Sequence, residues 1–136
     1  MNADCPLCLA RAETVLWHDA KCRVILIGDA DYAGFCRVIW NSHVGEMTDL
    51  DPGERAHLMK VVFAIEAVLR EALAPAKINL ASLGNQVPHL HWHVIPRFSD
   101  DAHFPNSVWS ERLRDGAARI APDPGILRNK LRERFD

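Results

Sequence analysis

The chain has 136 residues, 49% of them apolar and 25% charged, a balance that suits one folded unit with a real core and excludes disordered and collagen-like classes. A formal charge of −2 supplies no basic field of the kind that grips a nucleic-acid backbone, so no nucleic-acid polymer is expected as partner, and a small anionic ligand needs local donors. No apolar stretch approaches the ~20 residues that span a bilayer, and residues 1–4 carry no basic leader, so a cytoplasmic protein without membrane contact is expected.

Cys5-Pro6-Leu7-Cys8 comes first. Together with Cys22 and Cys36 it makes four cysteines, which spell two disulfides in an exported protein or half a metal site in a reducing compartment. Spacing leaves both open. Runs of β-branched residues predict strands over 15–18 and 23–27, a loop from Gly28 and Asp29 to Gly34, and a third strand over 36–40. Asn41 and Ser42 end that strand, which places His43 just past a strand end, where functional groups are commonly displayed. Asp51, Pro52 and Glu54 supply an N-cap acceptor, a first-turn proline and a capping-box carboxylate, so a helix starts here and runs to about residue 73. Within it Leu58, Val61, Val62, Ile65, Val68, Leu69 and Leu73 form a stripe that should lie on the sheet. His57 borders that stripe and reads as a surface or packing residue.

Pro75 stops the helix, a strand is expected over 77–83, and Gly84-Asn85-Gln86-Val87-Pro88 turns the chain into His89. The next strand, His89-Leu90-His91-Trp92-His93-Val94-Ile95, alternates imidazole with apolar side chains. Successive strand residues point to opposite faces, so the three histidines are expected on one face, about 7 Å apart, with Leu90, Trp92 and Val94 pressed on the core. Three histidines on one strand face are a poor fit to packing alone. Histidine titrates near neutrality, so such a row can keep one ring as nucleophile and use another as proton donor or orienter. No cationic side chain adjoins the row in sequence before Arg97, so a phosphate would lean on neutral donors such as Asn85 and Gln86. Beyond Arg97 the chain to Pro124 is rich in Asp, Pro and Ser and reads as irregular, ahead of a short basic helix over about 126–134.

The run HLHWHVIPR from His89 to Arg97 resembles the signature of the histidine-triad (HIT) superfamily, His-φ-His-φ-His-φ-φ with φ apolar. The wider order is similar as well: an early CxxC, a strand ending near a histidine, a long helix, a further strand and then the triad. The resemblance implies an α+β HIT-like fold, an antiparallel sheet with a long helix packed on it and a short C-terminal helix. The whole chain, 1–136, is then one HIT domain with its core over about 5–97 and an irregular tail over 98–136.

It further implies a homodimer pairing across the long helix and the adjacent strand. Its substrate would be a nucleoside phosphate, and its chemistry the cleavage of a phosphoanhydride or phosphoramidate bond, as a hydrolase or nucleotidyl transferase, through a covalent nucleotidyl-histidine. A dinucleoside polyphosphate is favoured on the resemblance. His91 is the nucleophile implied, its other ring nitrogen oriented by a backbone carbonyl, with His93 donating toward a phosphate oxygen. Asn85, Gln86 and Asn79 are candidate phosphate contacts, because Gln86 sits one place later than in the family's usual Gly-Gln-x-Val-x-His. Asp29 is carried over as a ribose contact, and Phe35 replaces a histidine common in the family.

In a branch of the family with an N-terminal CxxC, structural zinc is held by positions that here are Cys5, Cys8, His43 and His89. Such a closed set leaves no open position for catalysis. No organic cofactor is expected. A metal-dependent hydrolase that uses the histidines as open zinc ligands, and a nucleotide-binding module without turnover, are the alternative readings.

Overall fold

The computed structural model describes residues 1–135. The β-branched runs form five strands: β1 Thr14–His18, β2 Cys22–Leu26, β3 Cys36–Trp40, β4 Lys77–Ala81 and β5 His91–Arg97. They pair antiparallel throughout, in the order β1-β2-β3-β5-β4. Among the described residues three α-helices accompany them, α1 Pro6–Leu9, α2 Pro52–Leu73 and α3 Pro124–Phe135, with a short 3-10 helix over Met47–Asp49. The HIT-like α+β architecture expected from the sequence is the one observed.

Helix α2 begins where its sequence says it should. The Asp51 carboxylate accepts from the Glu54 N–H at 2.8 Å, and the Glu54 carboxylate accepts from the Asp51 N–H at 3.0 Å, so two otherwise orphaned donors are satisfied. Leu58, Val61, Val62, Ile65, Val68 and Leu69 are buried on the sheet, with Leu73 partly so. Full burial of a side chain of this size is worth about 1.5–3 kcal/mol, so this stripe holds the helix in place. Beneath it lie Val24, Cys36, Val38, Trp40, Leu90 and Val94.

The first two strands start one residue early, at Thr14 and Cys22, and larger differences fall elsewhere. The fourth strand ends at Ala81 rather than 83. The histidine strand starts at His91, two residues late. Just before it the His89 N–H donates to the Val87 carbonyl at 2.8 Å and the Leu90 N–H to the Val44 carbonyl at 2.8 Å, which bends the chain off the ladder. His89 therefore does not continue a regular row with His91 and His93. The C-terminal helix starts at Pro124, two residues earlier than expected. The four-residue α1 was not anticipated.

The segment between β5 and α3 has neither helix nor strand, as expected, but it is packed. Asp101, Ala102 and His103 are buried. The Asp101 carboxylate takes Arg97 Nε at 2.9 Å and the backbone N–H groups of Phe98, His103 and Phe104. Burial by itself raises this carboxyl; the Arg97 guanidinium and the three N–H donors outweigh it and hold it well below the usual carboxylate range. Through this knot the segment folds back over the sheet face opposite α2. Helix α3 secures the far edge: Trp17 stacks on Phe135 at 4.3 Å, and Arg128 Nε donates to the Val15 carbonyl, at the register shift of β1, at 3.0 Å.

Candidate functional site

Register decides what meets on the open face. Arg37 of β3 pairs with His93 of β5, and Ile39 with His91. Because Cys36, Val38 and Val94 point to the core under α2, Arg37, Ile39, His91 and His93 point the other way. There a cavity of about 340 Å³ is lined by His91, His93, Arg37, Asn85, Gln86 and Trp109, among others.

His91 is buried, with its Nδ1 2.6 Å from the His89 carbonyl oxygen. A carbonyl only accepts, so Nδ1 carries the proton and Nε2 of the neutral ring keeps a lone pair. Burial lowers the His91 pKa and the Arg37 charge adds to this, against the opposing pull of the His89 carbonyl. His93 is driven further, down to about 4, by burial first and then by His91 and Arg37. Its Nδ1 is buried with no hydrogen-bond partner among the described residues. The His93 ring is met by His91 at 4.8 Å, Trp109 at 5.1 Å and Phe35 at 5.8 Å, centroid to centroid. Both rings are thus neutral at pH 7.

Asn85 and Gln86 are exposed on the loop after β4 and line the cavity. Gly84 opens that loop at φ +71°, a conformation that favours glycine. Two proposed contacts are not brought to this cavity. Asp29 turns its Oδ1 onto the N–H groups of Asp31 and Tyr32, at 2.8 and 3.2 Å, because its loop is short and closes on itself. Asn79 lies on β4 and accepts from Arg97 Nη1 at 2.8 Å.

Beside the cavity four side chains converge. Cys5 Sγ and Cys8 Sγ each lie 3.4 Å from His89 Nδ1, Cys8 Sγ lies 3.2 Å from His43 Nδ1, and the two Nδ1 atoms are 3.1 Å apart. Ligands about 2.0–2.3 Å from one ion in a tetrahedron would sit about 3.3–3.8 Å from one another, close to these spacings. His89 Nε2 is 2.5 Å from the Trp40 carbonyl, which fixes the proton there and turns the Nδ1 lone pair inward. The cysteines are all unpaired, so the disulfide alternative does not describe this chain. A second group, Asp19, Cys22 and His57, also converges. Its Asp19 oxygens are engaged by backbone N–H groups and by His57 Nε2 at 2.7 Å, and burial pushes the Cys22 thiol up to about 12.

Two cavity residues escaped the sequence reading. The expectation that no cation adjoins the histidines before Arg97 is wrong in space: Arg37 stands beside them, and Arg97 is instead tied to Asp101. Strand alternation over 36–40 was the available signal, since Arg37 is its one charged residue. Trp109 arrives from the packed tail, for which periodicity offers nothing.

Residues 10–100 match the family described as HIT domain. A histidine triad protein from Bradyrhizobium japonicum is 29% identical, superimposes with a TM-score of 0.73, and the match covers 93% of this chain and 92% of that one. A histidine triad (HIT) protein from Sinorhizobium meliloti 1021 is 26% identical, with a TM-score of 0.71 and coverage of 93% and 92%. A Zn-bound histidine triad family protein from Mycobacterium smegmatis shares the fold at 24% identity and a TM-score of 0.67, covering 96% of this chain and 94% of its own. Curated proteins supply no match.

Proposed function

Since this chain belongs to the HIT domain family, we propose that it is a nucleotide hydrolase or nucleotidyl transferase that cleaves a phosphoanhydride or phosphoramidate bond, with a dinucleoside polyphosphate as the favoured substrate, through a covalent nucleotidyl-His91. One observation carries this reading: the His91 proton is held on Nδ1 by the His89 carbonyl at 2.6 Å, so a neutral nucleophilic Nε2 belongs to a ring lining the cavity. Its lone pair attacks phosphorus, the P–O bond to the leaving group breaks, and the imidazolium formed keeps its Nδ1 proton, donated to the His89 carbonyl. Water then attacks phosphorus, the N–P bond returns its electron pair to Nε2, and a water proton passes to solvent. Asn85 and Gln86 donate to phosphate oxygens, and His93 lies next to the nucleophile. Asp29 and Asn79 are left as weaker contacts, reachable only if their present hydrogen bonds are exchanged.

Cys5, Cys8, His43 and His89 fit a structural zinc by donor chemistry and by spacing, and the Zn-bound neighbour is in keeping with it. Bound there, zinc would supply a cross-link from α1 to the sheet, with no open position for chemistry. Neither metal-competent group among the described residues includes His91 or His93, which favours the nucleophile over an open zinc site. The reading also takes the chain as a homodimer of the cytoplasm. Phe63, 54% exposed on the long helix through which pairing is expected, supports the dimer, and unpaired cysteines suit a reducing compartment.

The experiment is a quenched reaction with a dinucleoside polyphosphate, followed by intact-mass measurement and peptide mapping. A nucleotidyl adduct on His91 is expected in the wild type, and His91→Ala should lose it together with several orders of magnitude in rate. An adduct on another residue, or substantial turnover by His91→Ala, would sink the assignment.

A further inference from the structure

Three arginines stand in or near the interior of this sheet face, and one of them lacks what the others have. Arg23 pairs with Glu13 at 2.7 Å and Arg97 with Asp101 at 2.9 Å. Arg37 takes part in none of the ion pairs among the described residues. Its Nε is buried with no hydrogen-bond partner, and its guanidinium carbon lies 5.9 Å from the Phe35 ring centroid, a weak substitute for an anion. A half-buried guanidinium with no anion beside it is incompletely compensated, and arginine stays charged where lysine would release its proton.

We propose that Arg37 is a substrate-binding residue that holds the leaving phosphate, and so makes the site selective for nucleotides whose phosphate chain continues past the phosphorus that His91 attacks. The proposal rests on the His91 reading above. Arg37 faces His93 across the strand pair, two residues along the ladder from the Ile39–His91 pair, so its charge is displaced from the nucleophile toward a neighbouring phosphate. When the P–O bond breaks, the electron pair leaves on an oxygen of the departing phosphate, and a bidentate guanidinium stabilises that anion without any proton transfer. An amine leaving group, in contrast, must take up a proton as the P–N bond breaks. Burial first, then His91 and Arg37, keeps the His93 ring neutral at pH 7, so it is a poor proton donor to such an amine. A phosphoanhydride is thereby favoured over a phosphoramidate.

The test compares wild type, Arg37→Leu, Arg37→Lys and His91→Ala, each with its metal as purified. Binding of ADP and of adenosine is measured by calorimetry, and turnover with diadenosine tetraphosphate and with adenosine 5′-phosphoramidate. Loss of a charged hydrogen-bonding pair predicts that Arg37→Leu binds ADP about 10- to 100-fold more weakly while adenosine binding changes little. Its kcat/KM for the tetraphosphate should fall by at least as much, and that for the phosphoramidate by less than about threefold; Arg37→Lys should recover part of the ADP affinity. Arg37→Leu should also melt no lower than wild type, because a half-buried charge without a partner has been removed. ADP binding by Arg37→Leu at wild-type affinity, or equal losses with both substrates, would overturn the proposal. His91→Ala separates the two readings: turnover retained there defeats the nucleophile, whereas ADP affinity that depends on Arg37 stands by itself.

Discussion

Two histidines only two residues apart are given different work by their backbone. His89 sits in a bend, Nε2 tied to the Trp40 carbonyl and Nδ1 turned to Cys5, Cys8 and His43. His91 begins the strand, Nδ1 tied to the carbonyl of His89 itself. The opposite tautomers follow from which ring nitrogen each carbonyl claims. His89→Ala and Cys8→Ser should therefore lose zinc and melt earlier, while His91→Ala keeps its zinc. Metal content by plasma mass spectrometry and melting curves on protein purified without added metal check this; full zinc occupancy in Cys8→Ser would remove Cys8 from the ligand set. His91 is buried, so its removal is not the surface change that a solvent-facing row would have made it.

Helix α2 and the loop before β3 show how elements set the site from behind. The helix is anchored by the Asp51 and Glu54 capping box at one end and by its apolar stripe along its length. Asp51→Ala should cost about 1 kcal/mol, or a fall in Tm of roughly 3–5 °C, with little change in turnover, since the sheet face carrying His91 is the opposite one. Thermal scans and steady-state kinetics on one preparation decide it, and a large loss of kcat with an unchanged Tm would contradict the separation of the faces. At the end of the Asp29 loop, Gly34 takes φ +83°, and a Cβ there would meet Leu73 Cδ1 at 2.5 Å. That glycine lets the loop pass under the end of α2 and deliver Phe35 to the flank of His93.

Across the whole molecule the balance of stability with pH is set by groups held away from their ordinary titration. His93, at about 4, is neutral in the folded protein, whereas the unfolded chain binds a proton near 6.5. The unfolded state then carries more protons between these values, so stability from His93 is present above about 6.5 and is lost as pH falls toward about 4. Asp101 acts in the same direction but lower, because its depressed carboxyl contributes only above the ordinary carboxylate range. Denaturant melts at pH 7.5 and 5.0 should show a loss of stability in wild type that is smaller in His93→Gln. Equal losses in both would show that the His93 ring is not what acid titrates. The packed tail belongs to the same scale, since the Arg97–Asp101 pair that anchors it starts from the last residue of the strand whose His93 meets Trp109.

Local chemistry wrote much of this protein directly into its sequence. The capping box, the stripe on α2 and the alternation over 36–40 determine their elements through contacts within a few residues or through a period, and the structure places those boundaries where they were expected. The triad was legible for the same reason, being three residues of one strand-like run, and the CxxC with its two distant histidines was legible only through family resemblance. Tertiary structure decided the rest. Register between β3 and β5, a property of two strands separated by more than fifty residues, put Arg37 opposite His93. A bend held by Val87 and Val44 took His89 out of the row. Competing partners, Arg97 for Asn79 and two backbone N–H groups for Asp29, kept those side chains from the cavity. No pattern along the chain encodes such pairings, because each depends on which groups the finished fold leaves in reach and without another partner.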